Sequence, residues 1–307
     1  GRFESMGLPF GLLHAKFRPV ERRVNETHWT NAYGKAGKGT RNRGTGSVLV
    51  GTQVLEQSLD LDADFLVSRL APFDLLVQRI GRLWRHADTP RPASCTRAEA
   101  VILKDPSDDP DCPFPSAVYY PYVLARTYEV LRSLPTDRAQ AFPESVRELL
   151  ERVYAKRDES GNPVLCRLQS EMEKDSRDKV AAAESAETIR QSGKEEPSTR
   201  YIELPTREVL VCQQSELDRI PENPGELAVW AEERILRSER FFSGCTCQSW
   251  NGWPEGARRF FRSAGRFSSM PLRLLEEERL IDPLTGDSDG RYSKKFGLWF
   301  ECDKNDA

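Results

Sequence analysis

The stretch from Val48 to His86 constrains the fold of this chain more than any other part of the sequence. A short apolar run, Val48-Leu49-Val50, precedes a polar turn, and a second apolar run extends from Phe65 to Leu70. Such runs are typical of strands that are buried on both faces of a parallel sheet. Apolar residues then recur at helical spacing from Phe73 to Trp84, and a further apolar run covers Ala100 to Leu103. This alternation of strand and helix predicts an α/β fold with helices packed on the sheet.

Two strands of the predicted sheet end in polar residues. The run that starts at Val48 ends at Thr52, and an earlier segment, Gly11 to Phe17, is also typical of the end of a buried strand. Pro19 then predicts the first turn of a helix that extends to about Tyr33, because the missing N–H of proline costs nothing there. Ligands of open α/β sheets bind at the carboxyl ends of the strands, so the residues after Thr52 are candidates for a binding site.

Arginine side chains concentrate at the end of the predicted helix, in Gln78-Arg79-x-Gly81-Arg82-x-x-Arg85. If the helix continues through this segment, Gln78, Arg82 and Arg85 share one face. Guanidinium groups are permanently charged and match phosphate oxygens, and at a γ-phosphate they stabilise the charge of phosphoryl transfer. The alternative is an exposed helix whose arginines form ion pairs, but Asp74 is the one acidic residue nearby. The pattern favours anion binding and leaves the surface interpretation open.

Beyond Lys104 the composition changes and predicts further domains. Two segments with helical periodicity follow, and residues 155–200 contain no aromatic residue and are dominated by charged and small polar residues. That stretch predicts a polar helix, a flexible linker, or both. From Tyr201 onward, strand and helix patterns return and predict a small α+β or β-rich domain. The predicted domain bounds are 1–115, 116–200 and 201–307.

Composition limits the class of protein and the kinds of site. The chain has 307 residues, 30% of them charged, and no apolar run long enough to span a membrane, so we expect a cytoplasmic protein with no membrane partner. Its seven cysteines are scattered apart from Cys245-x-Cys247, and its three histidines lie in the first third. This spacing predicts reduced, mostly buried thiols and no metal site. Residues 1–47 carry nine Lys and Arg against three Asp and Glu, which fits a phosphate-backbone partner and equally a solvated surface.

Three segments resemble motifs of superfamily 2 helicases. Thr52-Gln53-Val54-x-Glu56-Gln57-Ser58-Leu59-Asp60-x-Asp62 resembles motif V, in the variant found in the CRISPR-associated helicase-nuclease of type I systems. Gln78-Arg79-x-Gly81-Arg82-x-x-Arg85-His86 resembles motif VI, and Leu12 to Phe17 resembles the motif IV region. The similarity covers roughly residues 10–105. It implies that residues 1–115 are part of the second RecA-like domain, a parallel sheet with flanking helices, which a helical linker and a C-terminal accessory domain follow.

The resemblance also implies individual roles. Arg82 and Arg85 would act as arginine fingers on the ATP phosphates, and Gln78 would position the γ-phosphate or the attacking water. Asp60 would contact the ribose or couple the nucleotide site to the strand site. The residues that would touch the backbone of single-stranded DNA are His14, Lys16, Thr52 and Gln53.

In this family, ATP with Mg²⁺ closes two RecA-like domains, and cycles of closure move single-stranded DNA in the 3′ to 5′ direction. An RNA-guided CRISPR surveillance complex recruits the protein, and an HD nuclease domain with a divalent metal degrades the DNA. This sequence contains no Walker loop, because Gly37-Lys38 is followed by Gly39, and it has no Asp-Glu-x-His motif. We therefore expect a C-terminal portion of a longer protein, with the other helicase domain, the nuclease and most Mg²⁺ ligands elsewhere. This portion alone is expected not to hydrolyse ATP.

Two other functions stay open. The first is a fragment of a DEAD-box-like RNA helicase, although the Glu-Gln-Ser-Leu-Asp version of motif V favours the CRISPR branch. The second is a non-enzymatic module that binds nucleic acid or a protein partner, with residues 106–307 as the binding part. A preference of the protein for DNA over RNA would discriminate the first alternative.

Overall fold

The computed structural model describes residues 7–35, 46–56, 59–107, 109, 113–116, 118–135, 142–187, 207–238, 242–263 and 265–300. The chain divides into a first unit, Gly1–Leu61 with Leu204–Ala307, and a second unit, Asp62–Glu203. This division follows packing, and the domain bounds expected from the sequence stay a prediction. None of the helices in the described ranges combines the length and the apolar character that crossing a membrane requires.

The described elements alternate between strands and helices in the first third of the chain. The strands are β1 (Phe10–Leu13), β2 (Val48–Gly51), β3 (Phe65–Arg69), β4 (Glu99–Leu103), β5 (Arg207–Cys212), β6 (Ile235–Ser238), β7 (Leu272–Glu276), β8 (Arg279–Ile281), β9 (Ser288–Ser293) and β10 (Gly297–Trp299). The helices are α1 (Pro19–Tyr33), α2 (Phe73–Ile80), α3 (Pro121–Ser133), α4 (Val146–Tyr154), α5 (Pro163–Glu187), α6 (Gln214–Leu217), α7 (Pro224–Glu232), α8 (Glu255–Ser263) and α9 (Gly265–Ser268). The predicted mixed α/β fold class is confirmed.

In the first unit, β1 and β2 pair in parallel, with Leu13 opposite Gly51. Helix α1 packs on this pair through Trp29, which is 7% exposed and shares a core with Leu13 and Leu61. The approach is close, because a Cβ on Gly11 would lie 2.3 Å from the Trp29 ring. Glycine at position 11 therefore lets the aromatic ring lie directly on the strand.

A six-stranded sheet forms the rest of the first unit, in the order β10-β9-β8-β7-β5-β6. Its pairs are antiparallel except β5 with β7. Strand β5 alternates between two apolar cores: Val209 and Val211 pack on one side, and Leu210 and Cys212 on the other. All four side chains are fully buried. A strand covered on both faces needs this unbroken apolar run.

A buried ionic cluster fixes the start of α1 to the six-stranded sheet. Arg18 is 1% exposed, and its guanidinium pairs with Glu21 and, at 2.8 Å, with Glu216, while it also donates to the Val211 carbonyl at 2.9 Å. The Tyr292 hydroxyl donates to Glu21 at 3.0 Å and accepts from the Arg18 backbone N–H. The cluster joins residues from both ends of the chain within one unit.

In the second unit, β3 and β4 pair in parallel, and α2, α3 and α4 pack around Phe73 and Leu76. Arg126 is 2% exposed, donates to the carbonyls of Arg152 and Ala155 at the end of α4, and lies 3.5 Å from the Glu159 carboxylate. This guanidinium satisfies carbonyls that a helix terminus leaves without a partner inside the helix.

The prediction that the apolar runs of β2 and β3 are buried on both faces is wrong. Val50, Phe65 and Val67 are 45%, 50% and 55% exposed. Among the described residues these strands belong to two separate two-stranded sheets, so each pair buries one face. In β3 the exposed side chains alternate with Leu66 and Ser68, as a strand covered on one side requires.

We expect Arg18→Ala to lower the free energy of unfolding by roughly 3 kcal/mol, because it leaves the buried Glu21 carboxylate without its cation. Chemical denaturation measures this loss. Arg22→Ala is the matched control on the same helix, since Arg22 is 41% exposed in its side chain and pairs with Glu26. The control should change stability by less than about 0.5 kcal/mol. Equal effects of the two substitutions would contradict a special role for the cluster.

Candidate nucleotide and strand site

The arginine segment does not continue as helix. Helix α2 ends at Ile80 with Gly81 at its C-cap, so Gln78 lies on the last turn, while Arg82 and Arg85 follow the helix. The prediction that one helical face carries all three side chains is therefore wrong. The backbone of the segment bonds elsewhere: the Ala63 N–H donates to the Arg82 carbonyl at 2.7 Å, and the Trp84 N–H donates to the Ala63 carbonyl at 3.0 Å. The segment also makes turn bonds from the Arg82 N–H to the Arg79 carbonyl and from the Leu83 N–H to the Ile80 carbonyl, so a tight turn paired with Ala63 follows the helix.

The side chain of Asp62 forms a hydrogen bond to the backbone of the same segment. The carboxylate of Asp62 is buried, with the residue 1% exposed, and accepts the Arg85 backbone N–H at 2.9 Å. It also accepts from the Arg91 guanidinium at 2.6 Å. Arg91 in turn donates to the carbonyls of Ala63 and His86, and lies 5.2 Å from the Trp84 ring centroid. Asp62, the last residue of the segment that resembles motif V, thus helps to fix the backbone of the segment that resembles motif VI.

The side chains of the segment divide into two sets. Arg79 donates to the Ser68 hydroxyl at 2.8 Å and to the Tyr119 hydroxyl at 3.3 Å, so it attaches α2 to β3 and the segment before α3. Gln78 and Arg85 are exposed, and Arg82 is half-buried. Arg79 therefore has a packing role, while the three side chains assigned to phosphate binding lie at or near the surface of the second unit.

The residues expected to touch the DNA backbone come together in the first unit. His14 and Lys16 follow β1, and Thr52 and Gln53 follow β2. Because the two strands are parallel and paired, their carboxyl ends meet, and the Thr52 N–H donates to the Leu13 carbonyl at 3.1 Å. Thr52 is exposed, and Lys16 and Gln53 are half-buried. The sheet edge thus holds all four predicted residues, as the rule for open α/β sheets anticipates.

His14 has both ring nitrogens engaged inside the first unit. Nδ1 accepts the Lys16 backbone N–H at 3.2 Å, so Nε2 carries the proton and donates to the Phe296 carbonyl at 3.0 Å. The ring stacks on Phe17 at a centroid distance of 4.5 Å. Burial lowers the pKa of His14, which favours the neutral ring. His14 therefore fixes the backbone next to Lys16 through its ring nitrogens.

Asp60 lies in the first unit as well. Its Oδ2 accepts the Lys35 backbone N–H at 2.9 Å, just after α1. Its carbonyl is so close to the backbone at Gly34 that a Cβ there would lie 2.5 Å from the oxygen. Gln57 and Ser58 of the motif V segment lie outside the described residues. The predicted site residues thus form one group in each unit. The strand group with Asp60, in the first unit, contains His14, Lys16, Thr52, Gln53 and Asp60, and the arginine group, in the second unit, contains Gln78, Arg82 and Arg85.

Two residues of the arginine group were missed by sequence reasoning. Asp62 stands at the end of the motif V segment, and an acid between the apolar Leu61 and Ala63 is the signal that could have identified it. Arg91 lies in a Pro-rich stretch with no periodicity, and its pairing with Asp62 cannot be read from spacing. Both act on the backbone of the arginine segment, which a pattern of side chains does not reveal.

The cysteines form no site in the described part of the chain. Cys212, Cys245 and Cys247 are free and buried. Burial raises the pKa of Cys212 to about 12 and that of Cys247 further still, so these thiols stay protonated. No group of three or more potential metal ligands occurs among the described residues.

The sequence is similar to those of known proteins. Residues 3–88 match the family model described as CRISPR-associated nuclease/helicase Cas3, C-terminal. A CRISPR-associated endonuclease/helicase Cas3 from Thermus thermophilus is 41% identical over 146 residues, which cover 47% of this chain and 15% of that protein. The Escherichia coli protein of the same name is 37% identical over 147 residues, with the same two shares. The chain spans about a seventh of the length of these curated relatives.

Solved structures match nearly the whole chain. The structure of T. fusca Cas3-ADP has a TM-score of 0.67 and 25% identity, and covers 97% of this chain and 36% of that one. A structure titled CRISPR RNA-guided surveillance complex, pre-nicking, matches in fold with a TM-score of 0.65 and 24% identity, over 97% of this chain and 38% of that one. The resemblance to the CRISPR-associated helicase-nuclease family is thus confirmed: this chain is similar in sequence and fold to the C-terminal portion of Cas3 proteins.

Proposed function

We propose that this chain is the C-terminal part of an ATP-dependent single-stranded-DNA translocase coupled to a nuclease in type I CRISPR interference. Its contribution is the strand edge of the first unit and the arginine fingers Arg82 and Arg85 of the second. The observation that carries the proposal is the fixed backbone of the arginine segment, which is bonded to Asp62 and Ala63 at three points. In the cell the protein would act in the cytoplasm with an RNA-guided surveillance complex.

A fixed backbone suits phosphoryl transfer because the catalytic groups then need no reorganisation as charge develops. Arg85 and Gln78 are exposed, so their guanidinium and amide groups can reach a phosphate that another domain presents. The buried Asp62 carboxylate pairs with Arg91 at 2.6 Å, so a cation within the second unit compensates its charge. This donor set fits a triphosphate: permanent planar cations match phosphate oxygens, and an amide can orient a water.

ATP with Mg²⁺ is the proposed cofactor, and its phosphates would lie between this chain and a first RecA-like domain. Mg²⁺ neutralises charge on the β- and γ-phosphates when it is bound. The Walker loop and most Mg²⁺ ligands would come from that other domain, so the present chain by itself would not hydrolyse ATP. The titles of similar T. fusca Cas3 structures name ADP, AMPPNP and ATP, which supports this choice of nucleotide.

Single-stranded DNA is the proposed substrate of the strand edge. Thr52 presents a hydroxyl and Lys16 a cation at the point where β1 and β2 end. Hydroxyl groups and backbone N–H groups at strand ends are common partners of phosphate oxygens. The similarity to Cas3 proteins favours DNA over the RNA helicase alternative, and no contact among the described residues specifically favours a non-enzymatic module.

We expect Arg82→Ala to lower DNA-stimulated ATP hydrolysis by about a thousandfold or more, in a protein that also contains the first RecA-like domain. Binding of single-stranded DNA should stay nearly unchanged, because the strand edge belongs to the other unit. Arg97→Ala is the matched control, since Arg97 is 79% exposed in its side chain and pairs with Glu99. Retention of hydrolysis in the Arg82 variant would remove the finger assignment.

The Asp62 and Arg91 pair gives a second prediction. We expect Arg91→Ala to lower kcat for ATP hydrolysis by roughly tenfold or more, with a much smaller change in KM, because the finger backbone loses its support. Arg91→Lys retains a cation beside Asp62 and should recover part of kcat. Thermal unfolding of each variant separates this effect from loss of the fold. A parallel rise of KM without a fall in kcat would contradict a positioning role.

A further inference from the structure

The turn between β9 and β10 carries an exposed aromatic residue next to two lysines. Ser293 and Gly297 close the turn as a residue pair, and Lys294, Lys295 and Phe296 form its tip. All three tip residues are exposed, and Phe296 retains 39% of its surface. Gly297 has a φ of +72°, the left-handed conformation that a three-residue hairpin loop needs at its end. Closure of the turn therefore depends on glycine and leaves the tip residues available for another role.

Three aromatic rings and a lysine ammonium group meet at this tip. Phe296 stacks on Phe10 with centroids 6.4 Å apart and planes at 28°, and it meets the edge of Trp299 at 6.2 Å. The Lys295 ammonium lies 4.6 Å from the Phe10 centroid and 5.4 Å from the Phe296 centroid. We call Lys294, Lys295, Phe296, Phe10 and Trp299 the aromatic turn. It combines partly exposed ring faces with positive charge.

The aromatic turn is attached to the strand edge. The Phe296 carbonyl accepts the His14 Nε2 proton, and the Leu298 N–H donates to the Lys16 carbonyl at 2.8 Å. A Cβ on residue 297 would lie 2.5 Å from His14 Cε1 and 2.6 Å from the Lys16 carbonyl oxygen, so only glycine permits this approach. The turn therefore borders the residues that the proposed function assigns to the DNA backbone.

We propose that the aromatic turn is a binding surface for single-stranded DNA, in which a base stacks on Phe296 while Lys294 and Lys295 pair with phosphates. The choice of DNA rests on the proposed function. Proteins that bind single strands combine positive charge along the backbone path with aromatic faces on which bases stack. Because the aromatic turn is continuous with the sheet edge at Lys16 and Thr52, one DNA strand can contact the edge and then the turn. An exposed ring beside two lysines fits a nucleic acid better than an apolar peptide, which the two ammonium groups would disfavour.

The test is equilibrium binding of a fluorescent oligothymidine to the 307-residue chain, without nucleotide and at low salt. We expect Phe296→Ala to weaken binding roughly tenfold, since one base loses its stacking partner. Phe296→Tyr keeps the ring and should bind like the unsubstituted chain. Leu284→Ala is the control, because Leu284 is an exposed apolar residue, 60% exposed, in the turn between β8 and β9.

Salt dependence tests the lysines separately. In the variant with both Lys294→Ala and Lys295→Ala, the slope of log affinity against log salt should become shallower by about 1.4, or about 0.7 for each lost phosphate contact. An Arg259→Ala control, at an arginine 79% exposed in its side chain on α8, should leave the slope unchanged. Thermal unfolding confirms that each variant is folded.

Several results would overturn the proposal. They are absence of oligothymidine binding by the unsubstituted chain, equal affinity of the Phe296→Ala variant, and tighter binding of oligouridine or of an acidic peptide. Because no ATP is present, the outcome does not depend on the arginine fingers. If the Arg82→Ala variant keeps ATP hydrolysis while Phe296→Ala weakens DNA binding, the finger assignment fails and this inference stands. If Arg82→Ala loses hydrolysis while Phe296→Ala binds DNA normally, the finger assignment stands and this inference fails.

Discussion

The buried guanidinium of Arg18 is the interaction on which the first unit depends. It pairs with Glu21 on α1 and Glu216 on α6, and it donates to a carbonyl of β5, while Tyr292 on β9 closes the cluster. The residues are up to 274 positions apart in sequence. The buried cation is tolerated because its carboxylate partners are present, and removal of the guanidinium would leave the buried Glu21 carboxylate without a cation. The strand edge after β1 therefore has a fixed relation to the six-stranded sheet.

The second unit contains a smaller buried ion pair of the same kind, between Asp62 and Arg91. Asp62 is buried, and its Oδ1 accepts from both the Arg91 guanidinium and the Arg85 backbone N–H. The result is a short segment whose backbone is fixed by Asp62 and Ala63. Packing of Arg79 against Ser68 and Tyr119 keeps the end of α2 in place. Fixed backbone and exposed side chains are the combination that the proposed finger role needs.

Local patterns predicted the elements well and their long-range partners poorly. The strands around Val48, Phe65 and Ala100 and the helix that begins at Pro19 follow from apolar periodicity and turn residues. The sequence did not predict that α2 ends at Ile80, because the pairing of the following backbone with Ala63 has no local signal. Burial on both faces was wrongly expected for β3, since a run of apolar residues does not show how many strands pair. The contact between His14 and Phe296 joins residues 282 positions apart and has no local signal.

The central claim is that Arg82 and Arg85 contact the γ-phosphate of ATP. The most direct measurement compares the affinities of ADP and of ADP with aluminium fluoride, a γ-phosphate mimic, for a protein that contains both RecA-like domains. The account predicts that the fluoride complex binds more tightly than ADP, and that Arg85→Ala removes this preference while leaving the affinity for ADP unchanged. An undiminished preference in the Arg85 variant would contradict the account.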